Sequence, residues 1–124
     1  MKSFATERGS ASVEFALVLP VLVLVLVAVV EVAVVGRVQL ELIGAARQGA
    51  RVAATHPDPV QAVEAVHQAL DDGLEPNVIV TVARPAIVGR QAIVEVELRY
   101  RVLAPLFGGV PLRLSARSVM RVER

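Results

Sequence analysis

The chain has 124 residues and a mass of 13.2 kDa, enough for one small domain and one further element. Hydrophobic residues make up 55% and the mean hydropathy is +0.61, which is too apolar for a disordered chain. A net charge of +1 with scattered basic residues offers no patch for nucleic acid, and the absence of cysteine excludes disulfides and thiolate metal sites. There is no tryptophan either, so stacking platforms for bases or sugars are not expected.

The first nine residues, MKSFATERG, are polar and carry Lys2 and Arg8 against Glu7. Phe15 to Val30 is then an unbroken apolar run, and after Glu31 it resumes from Val32 to Gly36. About 20 mostly apolar residues suffice to cross a bilayer as a helix. A chain this short has no core large enough to bury such a helix. Lys2, Arg8 and the terminal amine precede the run and Arg37 follows it, which favours a cytoplasmic N-terminus and an extracytoplasmic C-terminal part. A cleaved secretory signal peptide has a shorter apolar region followed by a small-residue cleavage site, and none closes this run before Gly36.

Arg37 to Ala54 continues in helical composition without a breaker until Pro57. Arg37 and Glu41 are spaced to pair across one turn. Ile43, Ala46, Ala50 and Ala53 form one narrow face of mostly small side chains. From Ser12 to Ala54 such a helix is about 65 Å long, roughly twice the hydrocarbon thickness. Half of it would lie in lipid and half would project. Pro20 removes one backbone hydrogen bond and predicts a local kink.

His56-Pro57-Asp58-Pro59 ends this helix and starts another. Asp58 suits the N-cap, Pro59 the first helical position, and Gln61 stands three after the cap. Val60, Val63, Val66 and Leu70 predict an apolar stripe, and Gly73 a stop. Beyond Pro76 the period becomes two. Val78 to Ala83 reads as a buried strand. Ala92 to Leu103 sets Val94, Val96, Leu98, Tyr100 and Val102 against Glu95, Glu97, Arg99 and Arg101. Leu112 to Val122 sets Leu112, Leu114, Ala116, Met120 and Val122 against Arg113, Ser115, Arg117 and Arg121. Such alternation marks half-buried antiparallel strands, and Ala104 to Pro111 is a loop that closes a hairpin. The expected fold class is α+β: a long N-terminal transmembrane helix continuing into a small domain of one helix and a three-stranded antiparallel sheet.

Chemistry is thinly represented. Glu64 and His67 share a helix face, but a third metal ligand is missing from the pattern, and a solvated face is the simpler reading. His56 is the only other histidine. No glycine-rich phosphate loop follows a strand, and Ser10, Ser12, Ser115 and Ser118 have no nearby histidine to activate them. Asp71-Asp72 reads as a helix end. No catalytic, cofactor or metal residue is assigned, and the chain is not expected to be an enzyme or to bind a small-molecule substrate or nucleic acid.

The informative stretch is Arg8-Gly9-Ser10-Ala11-Ser12-Val13-Glu14-Phe15, joined directly to the apolar run. A carboxylate at the mouth of a membrane helix is costly unless it is paired or close to water. Glu14 as the interfacial end of a plain signal anchor, with Gly9 a flexible residue, explains this spacing equally well.

The stretch from Glu7 to Pro20, ERGSASVEFALVLP, resembles the N-terminal signature of TadE-like proteins, minor pilin-like components of the tight-adherence (Flp, type IVb) pilus system. Gly44 to Arg51, GAARQGAR, is similar to that family's Ala-Ala-Arg-x-Gly-Ala-Arg segment, and the closing strand through Val119-Met120-Arg121-Val122-Glu123 is also similar. The resemblance implies cleavage after Gly9 by a membrane prepilin peptidase, which leaves Ser10 as the new N-terminus, and a role for Glu14 in assembly. It implies a leader at 1–9, a transmembrane helix at 10–36, a projecting continuation at 37–56 and an extracytoplasmic α+β domain at 57–124. The implied partners are membrane lipid, other pilus subunits and the prepilin peptidase. Two other readings share the motif or the architecture: a signal-anchored extracytoplasmic binding module, and a pseudopilin of a secretion system, which the Ala-Ala-Arg-x-Gly-Ala-Arg match disfavours.

Overall fold

The computed structural model describes residues 3–123, with side chains from Gly9 onward except those of Pro105 and Phe107. Lys2, Arg8 and Glu7, whose charges bear on orientation, therefore lie outside the described side chains. In chain order the elements are α1 (Ser3–Thr55), α2 (Pro59–Gln68), a 3₁₀ turn (Glu75–Asn77), β1 (Val78–Ala83), β2 (Gln91–Val102), the single turn α3 (Ala104–Phe107) and β3 (Val110–Arg121). This is the expected α+β arrangement of a long apolar N-terminal helix, one further helix and a three-stranded antiparallel sheet. The structure divides into two compact units between Val34 and Val35, and α1 contributes to both.

In the first unit α1 runs through Pro20 as helix. Its most apolar stretch has a hydropathy of 3.1 and none of it is buried. Phe15, Leu17, Leu22, Leu26 and Val32 are all exposed. A helix apolar on every side is stable in water only if it is covered, so this exposure separates it from the core helix of a soluble protein. It is the one helix among the described residues long and apolar enough to cross a membrane.

The second unit is built on the sheet, in the order β1-β2-β3. β2 is central and its inward residues Ala92, Val94, Val96 and Leu98 are fully buried. They meet Leu114 and Ala116 of β3 in one layer. The other layer comes from α1 (Val38, Leu42, Ala45, Ala46, Ala50, Ala53) and from α2 (Ala62, Val66), joined by Leu70 and Val122. The small-residue face of α1 is thus a core face. Its phase is set by Leu42, which is fully buried, and not by Ile43, which is half-buried. The sheet selects the phase: five of the six buried side chains of α1 between Val38 and Ala53 are separated from the next by three or four residues or are adjacent alanines, small enough to share the contact.

α2 starts as expected: the Asp58 side chain accepts a hydrogen bond from the Val60 N–H at 3.0 Å, and Pro59 occupies the first position. It ends earlier than Gly73, at Gln68, because the chain turns to bury Leu70. The inward residues are Ala62, Val66 and Leu70, while Val60, expected in the stripe, is 65% exposed. Glu41 is not paired with Arg37. Its Oε1 instead accepts the Asp71 N–H at 2.7 Å, tying α1 to the turn after α2.

The outward face of the sheet carries the charges. Glu95 stands opposite Arg117, while Arg99 stands opposite Arg113. The like-charged pair is relieved diagonally, since Arg113 Nε lies 3.4 Å from Glu97 Oε1. Both partners are partly solvated, so this bridge contributes a few tenths of a kcal/mol to about 1. The β2–β3 connection is a short helical turn rather than plain loop, flanked by Leu103 (φ 54°), Gly108 (φ 70°) and Gly109 (φ 89°) in left-handed conformation.

Candidate functional site

Gly9, Ser10 and Glu14 all lie on α1, in the first unit. Ser10 and Glu14 are one turn apart and exposed, and the Ser10 hydroxyl donates to Glu14 Oε1 at 3.4 Å. The helix brings them together because i and i+4 side chains share a face. Among the described residues nothing lies within 4 Å of where a Cβ on Gly9 would sit. Its peptide bond to Ser10 is helical, and glycine weakens a helix by about 1 kcal/mol relative to alanine.

The second motif, Gly44 to Arg51, lies where α1 packs in the second unit. Ala45, Ala46 and Ala50 are buried, whereas Arg47 and Arg51 are exposed. Gly49 is the point of closest approach. A Cβ there would overlap Val66 Cγ2 of α2 and stand 3.2 Å from Val94 Cγ1 and 3.3 Å from the Ala62 carbonyl oxygen. Gly44 has open space around it. The two glycines of one motif therefore do different things, a distinction no spacing rule contains.

Contacts that sequence reasoning missed hold the later turns of α1 in place. The Gln39 amide donates to the Ser115 carbonyl at 2.8 Å, Arg84 Nε donates to the Ala53 carbonyl at 2.6 Å, and the Glu123 N–H donates to the Ala54 carbonyl at 2.9 Å. The last two satisfy carbonyls that a helix C-terminus leaves without partners. They join residues far apart in sequence, and no local signal announces them.

His67 Nδ1 lies 3.7 Å from Glu75 Oε1, and His56 Nδ1 is 3.0 Å from the Thr55 hydroxyl. Among the described residues no group of three potential metal ligands converges.

Taken together, the chain combines a helix of membrane-crossing length and composition with a small α+β unit whose core includes the same helix's later turns. The family described as TadE-like protein matches residues 9–51, the family that the N-terminal motif and the Gly44–Arg51 segment resemble. The match begins at Gly9 and spans the apolar run, Glu14 and the Gly49 contact. No curated protein and no solved structure matches the chain.

Proposed function

We propose that the chain is a pilin-like structural or assembly subunit of a tight-adherence (Flp, type IVb) pilus. The observation that carries this reading is the position of the TadE-like match: it starts at Gly9 and takes in the exposed, most apolar stretch of α1. In this reading residues 1–9 are a leader, 10–36 cross the cytoplasmic membrane with the N-terminus inside, and 57–124 with the preceding 37–56 form the extracytoplasmic part. Lipid covers the apolar side chains before assembly, and other pilus subunits cover them after it.

A prepilin peptidase cuts between Gly9 and Ser10. The bond must leave the helix to enter a protease cleft, and a glycine at that point lowers the cost of unwinding. Ser10 then carries a free amine one turn before Glu14. Near lipid, an amine and a carboxylate are each costly alone, and together each offsets part of the other's desolvation. The 3.4 Å Ser10–Glu14 contact puts the two residues on one helix face, as such a pair requires.

N-terminal sequencing of the membrane-extracted protein tests the cut, and external protease on spheroplasts tests the orientation. A mature N-terminus at Ser10 and degradation of the part after Arg37 are expected. An intact N-terminus together with failure to co-purify with pilus components would favour the signal-anchored binding module instead.

A further inference from the structure

We propose that the free edge of β1 accepts an extended strand from a partner protein, and that this edge is the interaction site of the α+β unit. The two edges of the sheet differ. β3 has Pro111 as its second residue, carries Arg113, Arg117 and Arg121 along its outward face, and has one carbonyl, that of Ser115, taken by the Gln39 amide. Charges, proline and covering groups are the devices that keep a sheet edge from pairing. β1 itself carries neither charge nor proline, although α2 packs beside it. Val78-Ile79-Val80-Thr81-Val82-Ala83 contains no charge, proline or glycine, and three of its residues are valine. Among the described residues, no group outside β2 hydrogen-bonds to the backbone of Ile79–Ala83.

The core is also incomplete on this side. Val80 pairs with Val96 and Val82 with Val94. The β2 partners are fully buried, yet Val80 and Val82 are only half-buried. Both pack against the buried core and keep part of their surface open. Only an extended backbone meets an open ladder of alternating N–H and carbonyl groups, and the inward phase beside Val80 and Val82 calls for apolar side chains. On the outward phase β1 offers the small residues Thr81 and Ala83 and the 54% exposed Ile79. The nearest outward charges beyond β1 are Glu95 and Glu97, opposite Thr81 and Ile79. Glu97 already lies 3.4 Å from Arg113 Nε, so it is Glu95 that favours a long basic side chain over an acidic one on the incoming strand. The partner segment is extended, free of proline, apolar at alternate positions and basic or neutral at the others. This inference does not depend on the pilus reading.

The test uses the full chain in detergent micelles and the synthetic peptide acetyl-Lys-Val-Thr-Val-Lys-Val-amide, followed by amide NMR. The peptide should shift the Ile79–Ala83 amides and slow their hydrogen exchange. A twin with glutamate for lysine should bind more weakly, and a twin with proline at the central valine should not bind. Thr81→Lys in the protein, which adds a charge on the outward face without touching the core, should abolish binding and leave the β2–β3 amides unmoved. The proposal is overturned if the β1 amides do not respond, if the β3 edge responds equally, or if the proline twin binds as well as the first peptide.

Discussion

Gly49 on α1 lies against Val66 on α2, so closely that a Cβ at 49 would overlap Val66 Cγ2. Val66 is itself fully buried, and Val94 Cγ1 and the Ala62 carbonyl oxygen would stand 3.2 and 3.3 Å from the same Cβ, so the pocket is closed on several sides. The contact explains physically why a glycine stands in the middle of a helix that would otherwise be more stable with alanine.

Gly49→Ala should therefore lower stability although alanine is the better helix former. Overpacking costs about 1–3 kcal/mol and propensity returns at most about 1, so a loss is expected, and Gly49→Leu should be far worse. Gly44→Ala in the same motif meets open space and should be neutral or stabilising by up to about 1 kcal/mol. Thermal unfolding in detergent, followed by circular dichroism, compares the two. Equal effects at 44 and 49 would contradict the close approach.

Glu41→Ala removes the acceptor for the Asp71 N–H. The site is partly open and water can replace the carboxylate, so the loss should be about 1 kcal/mol. Glu41→Gln keeps an acceptor and should lose less. Arg37→Ala should change little, because Glu41 is engaged elsewhere. A larger effect from Arg37→Ala than from Glu41→Ala would restore the i,i+4 pair.

Gly9→Val should leave a precursor heavier by the leader, since a branched side chain obstructs the peptide in a protease cleft and stiffens the backbone. Mass spectrometry of the membrane-extracted protein reads the difference. Identical mature masses in wild type and variant would reject Gly9–Ser10 as the cleaved bond.

Glu14→Ala should still insert and still be cut, because Glu14 is exposed and its carboxylate only accepts from the neighbouring Ser10 hydroxyl among the described residues. It should lose association with other pilus components, which co-purification in mild detergent measures. If the chain is cut before Ser10, the carboxylate and the new amine have no water to fall back on within a packed helix bundle, so their pairing matters most there. Unchanged co-purification and piliation would leave Glu14 a plain interfacial residue.

What the residues determined by themselves is what depends on local pattern. The uninterrupted apolar run identifies the membrane-length helix, the Asp58-Pro59 pair marks the start of α2, and the period-two alternation marks β2 and β3. The motif at Gly9–Pro20 also needs no folding to be recognised. Tertiary structure decided what depends on a partner distant in sequence. Ile43 and Leu42 are both plausible core residues of α1, and only the position of the sheet makes Leu42 the buried one. Glu41 has a local candidate partner in Arg37, but the turn that buries Leu70 brings the Asp71 N–H within 2.7 Å of it. Gly44 and Gly49 look alike in sequence, and they differ because α2 crosses α1 at only one of them.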